Sequence, residues 1–137
     1  MGGGLGTNNR IYKIMYHPTI PNLVLAGTSE GIFRSENNFE SYSLSQTGSS
    51  WEFNQDYDYI EFHPTDPNII YASTFNQDSR IYVSYDMGLT FSQSGPLQTG
   101  IINGGNNSNI QLSVSSACEN CVFVGTSDGI WKSENIG

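Results

Sequence analysis

Short apolar segments separated by turn residues run along the whole chain, and none of them has the spacing of an amphipathic helix. This pattern is typical of short β-strands. Two segments, 23–26 and 69–72, are apolar at every position, which favours strands covered on both faces by neighbouring sheets. The predicted strands are 11–16, 23–26, 32–35, 41–45, 57–62, 69–73, 81–84, 90–94, 110–114, 122–125 and 130–133.

The same order of segments occurs three times. The first two copies share a His-Pro-Thr-x-Pro-Asn turn, at His17–Asn22 and His63–Asn68, and the third copy has a different turn. In every copy the turn precedes an apolar strand that is followed by threonine. These threonines, Thr28, Thr74 and Thr126, are 46 and 52 residues apart, a period that indicates propeller blades.

The sequence therefore predicts an all-β fold made of β-propeller blades, each a four-stranded antiparallel sheet. The blade-like repeats cover approximately 10–50, 57–96 and 109–137, which is about two and three-quarter blades of an incomplete ring in a single partial propeller. Rings close with about four to eight blades. We expect the rest of the ring to come from the remaining blades of a parent protein or from self-association.

The only two cysteines, Cys118 and Cys121, lie on either side of the turn that prolines stiffen in the other copies. A local disulfide is the simplest interpretation, and it favours an extracellular or periplasmic location. A zinc site would need two further ligands, and His17 and His63 belong to other copies, where we interpret them as structural turn residues. No metal and no cofactor are expected.

Acidic residues outnumber basic residues by 13 to 5, which gives a net charge of -8 and a pI near 4.3. Such a surface repels phosphate backbones and anionic lipids, so nucleic acid is not an expected partner. No apolar run reaches the length of a membrane span, and the first residues lack the pattern of a secretory signal. We expect no membrane insertion, and an export signal would lie upstream of this chain.

One turn motif, Ser-Tyr-Asp-Met-Gly-Leu-Thr-Phe, runs from Ser84 to Phe91. We expect the Asp86 carboxylate to accept hydrogen bonds from the turn, Gly88 to supply a positive φ and Phe91 to fill the gap between sheets. Altered versions follow the third strand of the other copies. The residues assigned to these structural turns are Ser84, Asp86, Gly88, Thr90 and Phe91, Ser35 and Asn37, and Ser133 and Asn135.

The motif resembles the Asp box, the hairpin of BNR repeats. In the first copy Asn37 replaces the Asp and can still accept hydrogen bonds, whereas Phe39 replaces the Gly. With the proline turns, the chain from about residue 2 to 137 resembles sialidase-, sortilin- and xyloglucanase-like BNR propellers. The resemblance implies a β-propeller, and the family includes glycoside hydrolases, peptide receptors and photosystem assembly factors, so the fold does not assign the chemistry.

The xyloglucanase branch is the most similar, from Gly2 through the strand that ends at Ala26. In that family a catalytic Asp follows the Thr that corresponds to Thr28, but here Ser29 and Glu30 follow it. The family's second catalytic Asp lies in a later half of the protein. Because glycoside hydrolysis ordinarily needs two carboxyl groups, no catalytic residue is predicted in this chain. Sialidases use an arginine cluster, which the three scattered arginines do not match.

Strand alternation places the proline turns and the Asp-box motifs at one rim and the other loops at the opposite rim, where the resemblance implies that ligands bind. Aromatic and acidic residues there suit a sugar ring or an extended peptide. Alternatively, Trp51 and Phe53 cover the joint between the first two blades. The candidate binding residues are Glu30, Trp51, Phe53, Asp56, Tyr57, Asn76 and Asp128.

The predicted function is a non-catalytic recognition or scaffold module, a fragment of a BNR-type propeller that binds a glycan or a protein. Two alternatives stay open. One is the N-terminal portion of a xyloglucanase-like glycoside hydrolase, and the other is a short propeller subunit that self-associates.

Overall fold

The structure, a computed structural model, describes residues 9–47, 56–75, 80–94, 110–126 and 129–134. This part of the chain consists of β-strands and turns. None of its elements is a helix of the length and apolarity that a membrane crossing requires. The strands are β1 Ile11–Tyr16, β2 Val24–Thr28, β3 Gly31–Ser35, β4 Ser43–Leu44, β5 Gln46–Thr47, β6 Asp56–Phe62, β7 Ile70–Phe75, β8 Ile81–Ser84, β9 Thr90–Gln93, β10 Gln111–Ser115, β11 Cys118–Thr126 and β12 Gly129–Ser133.

The strands form three sheets, which we call blades 1, 2 and 3. Blade 1 has the order β1-β2-β3-β4, blade 2 has β6-β7-β8-β9, and blade 3 has β10-β11-β12 among the described residues. All neighbours within these orders are antiparallel. Strand β6 contacts β1 and β2 on one side and β10 on the other. The first strands of the blades therefore lie side by side, as in a propeller.

The predicted strands agree with the observed ones to within two residues at most ends, but β5 was not expected. The sequence predicts no strand between residues 45 and 57. Instead, Gln46 pairs with Thr90 and Thr47 with Phe91 in a parallel arrangement, so that β5 extends the outer edge of blade 2 to five strands. Because this segment follows blade 1 in the chain, its pairing ties the first two blades together.

Two apolar cores lie between the blades. The repeat places Leu25 and Ile70 in the core between blades 1 and 2, and Tyr71 and Val122 in the core between blades 2 and 3. Alternate residues of β7 thus face different neighbours, which explains why its sequence is apolar at consecutive positions. Burying these side chains supplies the main stabilisation of the fold.

The His-Pro turns are held by their histidine rings, which confirms the structural interpretation. The Nδ1 atom of His17 accepts hydrogen bonds from the backbone N–H groups of Thr19 and Ile20 at 3.2 and 3.0 Å. The proton is therefore on Nε2, which donates to the carbonyl oxygen of Pro67 in blade 2 at 2.8 Å. His17 is buried, and its ring joins two blades as well as closing a turn.

The turn that contains Asp86 has the geometry that its sequence predicts. The carboxylate of Asp86 accepts hydrogen bonds from the N–H of Thr90 at 2.8 Å, from its hydroxyl at 2.6 Å and from the hydroxyl of Ser84 at 2.8 Å. Desolvation alone would raise the pKa of Asp86, but these hydrogen bonds outweigh it and lower the pKa. Gly88 has φ +80° and Phe91 is buried.

The corresponding turn of blade 1 keeps this geometry despite its altered sequence. The side-chain oxygen of Asn37 accepts hydrogen bonds from the hydroxyl of Ser35 and the N–H of Ser41, both at 2.9 Å. Phe39, in the place of glycine, takes a φ of +65°, a conformation that costs free energy for a bulky residue. In blade 3, Ser133 ends β12, and Asn135 lies outside the described residues.

The predicted disulfide between Cys118 and Cys121 is present, with the two Cα atoms 5.2 Å apart. It lies in the turn region between β10 and the long part of β11, where Ser115 pairs with Cys118. The covalent link therefore restricts the same turn that prolines restrict in blades 1 and 2.

Gly27 marks the closest approach of blade 1 to blade 2. A Cβ atom at this position would lie 2.4 Å from the carbonyl oxygen of Tyr57, so that one backbone would have to move. We expect Gly27→Ala to lower the free energy of unfolding by about 1–3 kcal/mol in chemical denaturation, the range of overpacked cores.

The matched control is Gly125→Ala at the equivalent position of blade 3. There a Cβ atom would find its nearest neighbour, Gln111, at 3.8 Å, which is an ordinary contact. We expect a change within about 0.5 kcal/mol. Equal effects of the two substitutions would contradict the close approach of blades 1 and 2.

Candidate functional site

The candidate site is the rim opposite the proline turns, which we call the loop rim. It contains the Thr28–Gly31 turn between β2 and β3, the residues before β1, and the start of β6. The meander of each blade places these ends together, because alternate turns of an antiparallel sheet lie at opposite edges.

The Thr28–Gly31 turn is closed by side-chain hydrogen bonds. The hydroxyl of Thr28 donates to the carbonyl oxygen of Gly31 at 2.9 Å and accepts from the N–H of Glu30 at 3.1 Å. Gly31 has φ +131°, which favours glycine. Glu30 itself is exposed at the tip of the turn, so its carboxylate can reach a ligand in solution.

Ser29 stands where the xyloglucanase resemblance implies a catalytic Asp, and here it ties the turn to the residue before β1. Its hydroxyl accepts a hydrogen bond from the N–H of Arg10 at 3.1 Å, and its own N–H donates to the carbonyl oxygen of Arg10 at 2.9 Å. The serine side chain thus fills a structural role at this position.

Tyr57 was predicted to contact a ligand, and its position in the structure corrects that expectation. The side chain is fully buried in the core between blades 1 and 2, with its ring centroid 5.5 Å from that of Tyr82. A fully buried ring has no surface to offer a ligand. Asp56, the preceding residue, is half-buried at the first position of β6 and stays at the loop rim.

Asp58 is a candidate that the sequence analysis missed. Its neighbours Tyr57 and Tyr59 pair with Thr74 and Ser73, so Asp58 is the extra residue of a β-bulge. Bulges turn a side chain out of the ordinary alternation. The only sequence signal is the Asp-Tyr-Asp order at the start of an otherwise apolar inner strand.

The environment of Asp58 raises its pKa to about 6. Desolvation by burial is the main cause; hydrogen bonds from its own backbone N–H and from Ser73 oppose it, and the charge of Asp56 adds to it. One oxygen, Oδ1, is buried and has no hydrogen-bond partner among the described residues. Near pH 6 this carboxyl group can therefore either donate or accept a hydrogen bond.

The other predicted binding residues, Trp51, Phe53, Asn76 and Asp128, lie outside the described residues. The described part of the loop rim contains Glu30 in the turn after β2, and Asp56 and the additional Asp58 at the start of β6, where the charge of Asp56 acts on Asp58. Within the described ranges no group of three His, Cys, Asp or Glu side chains is placed to hold a metal ion. What the described rim offers is hydrogen-bond acceptors and negative charge.

Because the pKa of Asp58 is raised, its ionisation opposes folding, and the stability that it provides when protonated is lost as the pH rises from about 4 through 6. We expect Asp58→Asn to be more stable than the wild type at pH 8 by about 1–2 kcal/mol, less than the full shift implies because the carboxyl is only half-buried.

Chemical denaturation between pH 4 and pH 8 measures this effect, and the difference between the two proteins should shrink towards pH 4. Glu40→Gln removes an exposed carboxyl group and should give no such pH dependence. A difference that stays constant across this range would contradict the raised pKa.

No protein-family model and no curated protein sequence matches the chain. Solved structures do match it. An ancestral GH74 enzyme is similar over 100% of this chain, with 23% identity and a TM-score of 0.78, and YCF48 from Cyanidioschyzon merolae over 96%, with 18% identity and a TM-score of 0.67. A GH74 xyloglucanase from Xanthomonas campestris matches 92% of the chain at 13% identity with a TM-score of 0.46.

The chain spans only part of these proteins: 18% of the ancestral GH74 enzyme, 39% of YCF48 and 28% of the xyloglucanase. At such low identities the likeness concerns the fold. The three sheets of this chain are β-propeller blades similar to those of the GH74 enzyme and of YCF48.

Proposed function

We propose that this chain is a non-catalytic recognition or scaffold module, part of a BNR-type β-propeller whose loop rim binds a glycan or an extended protein segment. In this proposal the Asp86 and Asn37 turns are Asp boxes with a structural role. The binding residues are Glu30, Asp56 and Asp58 together with the aromatic residues of the segment before β6.

The observation that carries this proposal is the role of Ser29. The position at which the xyloglucanase resemblance implies a catalytic carboxylate holds a hydroxyl group that is bonded to the backbone of Arg10. A serine in this place cannot act as the acid or base of glycoside hydrolysis, which requires a pair of carboxyl groups. The loop rim can then bind a ligand without hydrolysing it.

The chemistry of the loop rim supports a ligand with many hydroxyl or amide donors. Glu30 is exposed, and Asp56 and Asp58 are half-buried. Carboxylate oxygens accept hydrogen bonds from sugar hydroxyls or from peptide N–H groups. The sequence also has Trp51 and Phe53 shortly before β6, and stacking of a ligand on aromatic rings adds affinity.

The test is isothermal titration calorimetry with neutral β-glucan and xyloglucan oligosaccharides and with a panel of extended peptides. We expect one of these classes to bind, and Trp51→Ala to weaken that binding by about three- to tenfold, the effect of losing one aromatic contact. Trp131→Ala, on β12 of blade 3, is the matched control and should bind like the wild type. No binding by either ligand class would overturn the proposal.

The second candidate function is the N-terminal part of a glycoside hydrolase. The similarity to the GH74 enzyme favours it, although the chain corresponds to 18% of that protein. The same titration samples serve to assay the release of reducing ends. Hydrolysis by this chain that Glu30→Gln abolishes would replace the recognition proposal with an enzymatic one.

The disulfide between Cys118 and Cys121 supports an extracellular or periplasmic location as part of the proposal. Disulfides persist in oxidising compartments and are rare in the cytosol.

The outer faces of blades 1 and 3 support additional blades as partners. Ile14, Ile60 and Leu112 occupy equivalent positions, opposite Ala26, Ala72 and Val124 in their sheets. Ile60 and Leu112 are 0% and 3% exposed because a preceding blade covers them, whereas Ile14 is 55% exposed.

The same comparison applies to the far side of blade 3. Ile32, Ile81 and Ile130 are equivalent in their sheets. The first two are 1% and 0% exposed because a following blade covers them, whereas Ile130 is 83% exposed. Apolar positions that two blades bury and a third exposes favour a further blade at each face, from a parent protein or from another copy of this chain.

Light scattering coupled to size exclusion separates these two sources. We expect this chain alone to give a monomer or a polydisperse aggregate, because its outer faces are apolar and need further blades. A discrete trimer or tetramer would instead support a short subunit that closes its own ring.

Ile130→Glu should reduce the association of either kind, because it places a charge on the exposed face of blade 3. Thr19→Glu, in an exposed turn of blade 1, adds the same charge elsewhere and is the control. Association that responds equally to both substitutions would contradict an interface at this face.

A further inference from the structure

A polar groove lies between blades 1 and 2 on the side of the Asp86 turn, opposite the loop rim. It consists of two adjoining depressions of about 570 and 300 Å³, within the size range of small-molecule sites. Both depressions are lined by Arg34 from β3, Ser43 from β4 and Leu89 from the Asp86 turn. We call this the Arg34 groove.

Arg34 is the charged group of the groove and is only 7% exposed. Its Nε donates a hydrogen bond to the carbonyl oxygen of Met87 in blade 2 at 2.8 Å. Its Nη1 lies 2.8 Å from a carboxylate oxygen of Glu36, whose side chain is 73% exposed. Its Nη2 has no partner among the described residues. The guanidinium is thus held in place by the next blade, while part of its hydrogen-bonding capacity is not taken up by the described residues.

The packing of the blades does not require a cation at this position. The equivalent residue of blade 2, opposite Tyr71 as Arg34 is opposite Leu25, is the buried Val83. Valine is enough to fill the joint between blades 2 and 3. Burying a guanidinium in such a joint carries a desolvation cost. A role in ligand binding explains why arginine is present despite that cost.

The rest of the lining is rich in hydroxyl and amide groups and therefore suits a polar ligand. The hydroxyl of Ser43 has no hydrogen-bond partner among the described residues, and the Tyr42 ring gives a partly exposed aromatic surface. The remaining groups along the larger depression are Ser35, Asn37 and Ser41.

The ion pair with Glu36 indicates which chemical group of a ligand the guanidinium would bind. A planar guanidinium binds a carboxylate through two parallel hydrogen bonds. The Glu36 carboxylate is attached to an exposed side chain of the same chain, so a carboxylate from solution can replace it at little cost. A carboxylate next to sugar hydroxyls would match both Arg34 and the polar lining.

We propose that the Arg34 groove binds an acidic saccharide, with the carboxylate of a uronic acid on Arg34 and the ring hydroxyls on the serine and asparagine side chains. The site lies on the side of the blades opposite the loop rim. It is therefore independent of the proposed function, and either can fail without the other.

The experiment is calorimetric titration of the whole chain with trigalacturonic acid at pH 7 and about 0.15 M salt, which screens the repulsion between the acidic chain and this anion, with its methyl ester as the uncharged probe. We expect the acid to bind and the ester to bind at least tenfold more weakly. Arg34→Val, which copies the residue of blade 2, should also reduce affinity at least tenfold, as for the loss of a charge-assisted hydrogen bond. Lys132→Val, at the equivalent position of blade 3, removes the same charge and should have no effect.

Glu36→Gln supplies a second readout, because it removes the competing carboxylate without touching the core. We expect trigalacturonic acid to bind this variant about three- to tenfold more tightly than the wild type. Circular dichroism melting establishes that each variant is folded. If Arg34→Val does not fold, the Glu36→Gln comparison and the shift of the Arg34 Nε–H NMR signal on titration decide the question.

Three results would overturn the proposal. The first is no binding of trigalacturonic acid to the wild type. The second is equal binding by the wild type and Arg34→Val, or by the acid and its ester. The third is Arg34-dependent binding of an oligoglutamate peptide without binding of the saccharide, which would assign the groove to acidic peptides. If Trp51→Ala loses ligand binding at the loop rim but still binds trigalacturonic acid like the wild type, the result bears on the proposed function alone.

Discussion

The structure depends on the packing of one blade's apolar face against the next blade. Each sheet is apolar on both faces, so a blade is stable only when neighbours cover it. Leu25 faces blade 2, while alternate residues of β7, Ile70 and Tyr71, face blades 1 and 3. The same rule explains why Ile14 and Ile130, on the outer faces of blades 1 and 3, are exposed: no described blade covers them.

Polar contacts add precision to this apolar packing, and three described side-chain hydrogen bonds from blade 1 to blade 2 lie at the rim of the structural turns. The ring of His17, the guanidinium of Arg34 and the hydroxyl of Ser45 donate to carbonyl oxygens in the two turns of blade 2, those of Pro67, Met87 and Gly88 respectively. These hydrogen bonds fix this side of the joint in addition to the apolar contacts. Arg34, which also lines the groove proposed above as a saccharide site, contributes to this joint through its Nε.

Much of the fold was predictable because each local signal agrees with the repeat. Proline, asparagine and glycine fix the turns, and the period of the apolar segments fixes the strands. The disulfide could be inferred from the alignment of Cys118 and Cys121 with the proline turns. The candidate site was less predictable: of the candidate binding residues, Glu30 is exposed, but Tyr57 lies in the core. Successive side chains of the first strand in a blade face opposite sides of the sheet, and the strand begins at the loop rim. The sequence does not tell where a bulge such as the one at Asp58 changes which side a side chain faces.

The sequence by itself determined the strands other than β5, the turns and the three repeats. The strands and turns follow from interactions between residues close in the chain, and the repeat of this pattern predicts propeller blades. Only the tertiary structure decided the parallel pairing of β5 with β9, the burial of Tyr57, the raised pKa of Asp58 and the position of Arg34 between two blades. These features depend on how far apart neighbouring blades lie and on how they are oriented relative to each other. Contacts of that kind join residues far apart in the chain, and desolvation and charge act on each group only after the blades have packed together.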